Sequence, residues 1–114
     1  MSKSAITTHV LDTHLGKPAS GVAASLSRLD GPGWEVIAEG YTNDDGRITD
    51  WMGDEPREVG EYRIAFATGD YFSDLGLECL YPQVVIYFTV SDPEQHYHIP
   101  LLISANSYST YRGS

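Results

Sequence analysis

The chain has 114 residues, 41% of them hydrophobic, and a formal net charge of −9 at pH 7, which suits one domain spanning 1–114 around one modest core. A mean hydropathy of −0.26 and an isoelectric point near 4.6 argue against disorder, nucleic-acid binding and an anionic-membrane role. No apolar run approaches the ~20 residues of a membrane-spanning helix. The opening Met1-Ser2-Lys3-Ser4-Ala5 lacks the apolar core of a signal peptide, so a cytoplasmic protein is expected.

Residues 6–12 alternate, with Ile6, Thr8, Val10 and Asp12 opposed to Thr7, His9 and Leu11, which predicts a strand. Gly16-Lys17-Pro18 reads as a turn. Residues 22–29 alternate again, with Val22, Ala24, Leu26 and Arg28 on one face. Asp30-Gly31-Pro32-Gly33 is a hairpin break into a strand over 34–42. Asn43-Asp44-Asp45-Gly46 is a tight-turn signal, because Asn, Asp and Gly tolerate positive φ. Arg47 follows at once, then Ile48, Thr49 and Trp51. In residues 61–68 the side chains of Tyr62, Ile64 and Phe66 share a face. A single short helix is expected over 70–76, with Asp70 as its N-cap. The β-branched and aromatic run 83–90, the segment 96–104 and a final short piece at 108–112 complete the strands. Seven to eight strands between Gly/Pro turns, with one short helix, predict an all-β antiparallel sandwich.

Chemistry-bearing residues are few. The single Cys79 cannot close an intramolecular disulfide, and its neighbours Leu77, Glu78 and Leu80 offer nothing to stabilise a thiolate. His96 and His98 lie two apart, so on a strand they share a face. A zinc site needs further N, S or O ligands; His9 could supply one, though nothing in the spacing demands it. Without metal, a strand histidine beside a cation is a good general acid or base near neutral pH. Arg47 sits where a turn hands over to a strand, placed to aim into a cleft or to neutralise Asp44, Asp45 or Asp50. Tyr111-Arg112-Gly113-Ser114, shortly after the paired histidines, reads as a segment held in place and used, where a frayed tail is the ordinary expectation. The acidic turn lacks the spacing of an EF-hand, Gly16-Lys17-Pro18 is too short for a phosphate loop, and Ser107, Ser109 and Thr110 have no hydrolase elbow.

In order along the chain, Ile6-Thr7-Thr8-His9-Val10-Leu11-Asp12, Gly16-Lys17-Pro18-Ala19, Asp45-Gly46-Arg47, Gly60-Glu61-Tyr62-Arg63 and Thr68-Gly69-Asp70-Tyr71-Phe72 are present. His96-Tyr97-His98-Ile99-Pro100-Leu101-Leu102 and the terminal Tyr111-Arg112-Gly113-Ser114 follow. This set resembles the transthyretin-related proteins over nearly the whole chain. The terminal tetrapeptide resembles the signature of the family's 5-hydroxyisourate hydrolases, which its thyroid-hormone carriers lack. Ala105 and Asn106 depart from the family pattern, where proline and an aromatic residue or glycine are frequent.

The resemblance implies a transthyretin-like sandwich assembled as a homotetramer, a dimer of dimers with sites between dimers, and no metal or organic cofactor. It implies hydrolysis of 5-hydroxyisourate, the product of urate oxidation, to 2-oxo-4-hydroxy-4-carboxy-5-ureidoimidazoline. Carried over by position, the catalytic residues are His9, Arg47, His98 and Ser114, and substrate is bound by His9, Arg47, Tyr111 and Arg112. His98 is expected to activate water, oriented by a neighbouring hydroxyl or the tail. His9 is expected to bind substrate and protonate the departing nitrogen, and Arg47 to clamp the oxyanion. Tyr111 and Arg112 close one wall against substrate or a facing subunit. The rivals are a non-catalytic transthyretin-like small-molecule carrier and an immunoglobulin-like interaction module.

Overall fold

The alternating segments stack as two sheets in the computed structural model, which describes residues 5–52 and 58–113. Among the described residues the order is β1 (Ile6–Asp12), β2 (Lys17–Pro18), β3 (Ala23–Asp30), β4 (Gly33–Tyr41), β5 (Arg47–Ile48), β6 (Gly60–Phe66), α1 (Thr68–Asp74), β7 (Val84–Val90), β8 (Tyr97–Ile103) and β9 (Tyr108–Thr110). Two of these strands are only two residues long, so the longer ones match the expected number. One sheet runs β2-β1-β8-β9, with β5 also paired to β1; the other runs β4-β3-β6-β7. Between them lies a single core that includes Ile6, Val10, Leu26, Tyr62, Ile64, Phe66, Phe72, Leu101 and Ile103. No helix among the described residues is long and apolar enough to cross a membrane.

Most pairs are antiparallel, but β1 and β8 run parallel through seven rungs, from Ile6↔Tyr97 to Asp12↔Ile103. Such pairing joins segments about ninety residues apart and has no local signature, which is why alternation alone leaves it out.

Several local expectations are revised. Lys17–Pro18 is not only a turn: it extends away from Gly16 and pairs with Leu11 and Asp12 as β2. In β4, regular pairing breaks: Ala38 pairs Leu26 but Val36 pairs Ser27. The extra residue, Ile37, makes a bulge on β4, while the pairing of β3 with β6 runs unbroken through Leu26 and Ser27. The helix begins at Thr68, two residues before the expected start, and Asp70 lies in its first turn instead of capping it. The start is fixed from outside the helix: the Thr68 hydroxyl donates to the Tyr81 carbonyl at 2.9 Å and the Gly69 N–H to Pro82 at 3.0 Å. A cap residue read from sequence cannot register such bonds.

The turn before β5 is built as its residues suggest. The Asn43 side-chain oxygen accepts N–H groups from Asp45 at 2.9 Å and Arg47 at 3.0 Å. Gly46 takes φ +76°, and a Cβ there would collide with the Val10 carbonyl. The Gly46 carbonyl accepts the Val10 N–H at 2.7 Å, pinning the turn to β1. The first side chain after the turn is Arg47.

Candidate active site

On β1, the side chains of Thr7, His9 and Leu11 leave the core-facing row of Ile6, Thr8, Val10 and Asp12. The pairing registers place their neighbours. Thr7 stands opposite His98 on β8, and His9 stands opposite Pro100 on one side and Arg47 of β5 on the other. Beyond β8, Thr110 donates its hydroxyl to the Pro100 carbonyl at 2.7 Å, and the Gly113 N–H bonds the His98 carbonyl at 2.9 Å. The segment after β9 therefore continues along β8 and brings Tyr111 and Gly113 to the histidines. The expectation of a pinned segment holds for these described residues.

These neighbours line an open groove of about 430 Å³, bounded by Thr7, His9, Arg47, Thr49, His96, His98, Tyr111 and Gly113. The His9 and His98 rings lie 6.5 Å apart, centroid to centroid. Thr7, only 2% exposed, holds its hydroxyl oxygen 2.7 Å from His98 Nδ1 and 3.0 Å from His96 Nε2. Gly113 is wedged against His98: a Cβ there would overlap the ring at Cδ2 and come within 3.1 Å of Cγ and 3.2 Å of Pro100 Cγ.

Burial lowers the His9 pKa below its ordinary 6.5, and the Arg47 guanidinium lowers it further. The Asp45 backbone, hydrogen-bonded to the ring, and the Asp45 carboxylate oppose this without reversing it. His9 is thus neutral at pH 7, with one N–H engaged by the Asp45 carbonyl and the other nitrogen an acceptor. Arg47 is exposed at the groove. Among the described residues no ion pair joins it to Asp44, Asp45 or Asp50, so the surface-neutralising alternative loses its support.

Of the residues singled out from sequence, the fold brings together His9, Arg47, His98 and Tyr111. Arg112 goes elsewhere. Its Nη2 donates to Gln95 Oε1 at 2.7 Å and its guanidinium lies 4.6 Å from the Tyr97 ring centroid. There it borders a separate, more apolar hollow of about 280 Å³ with Ile86, Phe88 and Tyr97. Ser114 lies outside the described residues. Thr7 and Thr49 line the groove without having been singled out from sequence, while His96 enters it from the H-x-H pair and Gly113 from the terminal segment. Alternation did put Thr7 on the face of His9, and the H-x-H spacing put His96 on the face of His98; only the β1–β8 register joins the two faces. Among the described residues, no group of three or more His, Cys, Asp or Glu could hold a metal ion.

Residues 6–113 match the model of the HIUase/Transthyretin family. The chain belongs to this family. Its similarity to a 5-hydroxyisourate hydrolase of Caulobacter vibrioides is 49% identity over 97% of this chain and 99% of that one. The structure of 5-hydroxyisourate hydrolase from Klebsiella pneumoniae superposes with a TM-score of 0.85 at 38% identity, covering both chains completely. Sea bream transthyretin, solved with thyroxine, superposes with a TM-score of 0.90 at 30% identity, over 96% of this chain and 95% of that one. Backbone shape therefore does not separate the two branches of the family; the groove's side chains have to.

Proposed function

We propose that this chain hydrolyses 5-hydroxyisourate to 2-oxo-4-hydroxy-4-carboxy-5-ureidoimidazoline as a step of urate degradation. The observation that carries the reading is the meeting of His9, Arg47 and His98 in one groove, on a chain 49% identical to a 5-hydroxyisourate hydrolase. The reaction adds one water across a cyclic amide. His98 takes a proton from that water as its oxygen bonds to the carbonyl carbon. Arg47, a planar fork of donors, holds the resulting oxyanion. When the ring C–N bond breaks, the proton on His98 passes to the departing nitrogen. His9, neutral and with one N–H already on Asp45, accepts a hydrogen bond from substrate and orients it, a role that replaces the proton donation expected from sequence. Tyr111 forms a wall, and Ser114 keeps the catalytic part that the family resemblance gives it.

Assembly as a homotetramer, a dimer of dimers, belongs to the same proposal. Oxyanion stabilisation is strong only where water is excluded, yet in the single chain Arg47 and Tyr111 are exposed. A second copy laid over the groove supplies the missing cover. The edge strands β7 and β9 offer the backbone for such pairing. Arg112, held on Gln95 and Tyr97, serves at a contact with a facing subunit. The unpaired thiol of Cys79 suits a reducing, cytoplasmic setting.

The test generates 5-hydroxyisourate in place with urate oxidase and follows its ultraviolet decay. Wild type accelerates the decay, whereas His98→Ala and a variant lacking Tyr111 to Ser114 leave it near background. No acceleration by folded wild-type protein would overturn the reading and leave a carrier or a catalytically inactive relative.

A further inference from the structure

We infer that Thr7 and His96 are positioning residues that together hold the His98 imidazole in its Nδ1–H tautomer. The inference rests on the reading of His98 as base and specifies how this chain makes it one. For His98 to take a proton from water at Nε2, that nitrogen must carry a lone pair, so the ring proton has to sit on Nδ1. An unrestrained neutral imidazole favours the opposite form, with the proton on Nε2. Something must impose the less favoured tautomer.

The Thr7 hydroxyl lies where it can. Its oxygen is 2.7 Å from His98 Nδ1 and 3.0 Å from His96 Nε2, in a residue 2% exposed. Threonine is β-branched and stiff at χ1, and Thr7 is fixed by the strand register opposite His98. A hydroxyl has one proton to give and lone pairs to receive. If it donated to His98 Nδ1, the imidazole would place its own proton on Nε2 and lose its basicity toward the groove. If it donates to His96 Nε2, its oxygen is left to accept Nδ1–H from His98. His96 therefore acts through Thr7: it draws the hydroxyl proton away from His98. When His98 becomes an imidazolium during turnover, Nδ1–H continues to donate to the same oxygen, so no bond in the chain has to be remade. The two bonds also give the H-x-H spacing a use: residues two apart on a strand share a face, and both reach one hydroxyl on β1.

Two measurements on the intact protein test this. Nitrogen-15 NMR of histidine-labelled protein reads the tautomer of His98 directly, with wild type in the Nδ1–H form and Thr7→Val and His96→Phe shifted toward Nε2–H. In the decay assay both variants lose about 10- to 100-fold in kcat with KM nearly unchanged, part of the ~10²–10⁴-fold that a general base supplies. The double variant is no worse than either single one, because both changes cut the same connection. Thr7→Ser and His96→Gln, which keep a hydroxyl and an acceptor in place, retain most of the activity. Wild-type His98 in the Nε2–H form, or additive losses with an unmoved tautomer, would overturn the proposal. His98→Ala separates the two levels: if it stays active, the base assignment itself fails; if it is inactive while His96→Phe behaves as wild type, only the Thr7–His96 connection fails.

Discussion

Arg47 is a charge beside His9 and, in the proposed mechanism, a fork of donors to the oxyanion. Removing a preorganised oxyanion donor typically costs about 10²–10³-fold in rate. Arg47→Ala is expected to lose that much kcat/KM, and Arg47→Lys to recover only part of it, because an ammonium restores the charge but not the planar fork. Full kcat/KM in Arg47→Lys would remove the clamp. The charge has its own readout. Since burial and then Arg47 lower the His9 pKa, an NMR titration of His9 should show a midpoint below 6.5 in wild type, moving upward in Arg47→Ala. The linkage sign follows: with the folded pKa below the unfolded one, the unfolded chain binds more protons in between. His9 thus contributes stability that is complete above pH 6.5 and declines as the pH falls through its folded pKa. Urea midpoints that rise on acidification over this window, in wild type relative to His9→Asn, would contradict that assignment. The turn signal made Arg47 a candidate from the residues alone, and the family resemblance added His9 and placed the two in one site. Neither showed that the two stand in register, because β1 and β5 meet across more than thirty intervening residues.

Between elements, one side chain ties the helix to the first strand. The Tyr71 hydroxyl on α1 donates to Asp12 Oδ2 at 2.7 Å, while Asp12 Oδ1 accepts the N–H groups of His14 and Leu15, each at 2.9 Å. Burial first, then the Asp12 carboxylate, raise the Tyr71 pKa, so the phenol remains a donor throughout the ordinary pH range. Tyr71→Phe leaves Asp12, 1% exposed, short of a partner. A loss of about 1.5–3 kcal/mol in urea unfolding is expected, the usual range for a hydrogen bond to a charged group, with kcat of the folded fraction unchanged. The opposite pattern is expected at the other end of the sheet. In Gly113→Ala the new methyl must displace the His98 ring, and a misplacement of about 1 Å can cost ~10²-fold in rate. Stability should barely move, since Gly113 sits outside the core. A fully active Gly113→Ala would show that the ring position is not held from this side.

For the whole molecule, the open groove sets the expectation. If water exclusion comes from a second copy, activity and assembly must fall together. Sedimentation at micromolar concentration should give a species about four times the 12.6 kDa of one chain, and specific activity should drop on dilution below the dissociation range. A fully active monomer would remove the assembly from the mechanism. The half-buried Leu11 and Leu102, register partners on the groove-bearing face of the sheet, give that contact an apolar neighbour to the polar site.

What the sequence determined by itself is what short-range physics encodes. Alternation of period two fixed the span of β1 to the residue and the buried faces of β1 and β6, and Asn43-Asp44-Asp45-Gly46 marked the turn that launches Arg47. The order of motifs along the chain pointed to the family. Tertiary structure decided whatever depends on two distant segments meeting. Parallel register between β1 and β8 placed one threonine hydroxyl between two histidines; contacts with Tyr81 and Pro82 moved the helix start to Thr68; and Gln95 with Tyr97 drew Arg112 away from the groove. The physical reason is common to all three. A side chain's type and its face are local properties, but its partner is set by register and packing across the sheet, which no window of neighbouring residues contains.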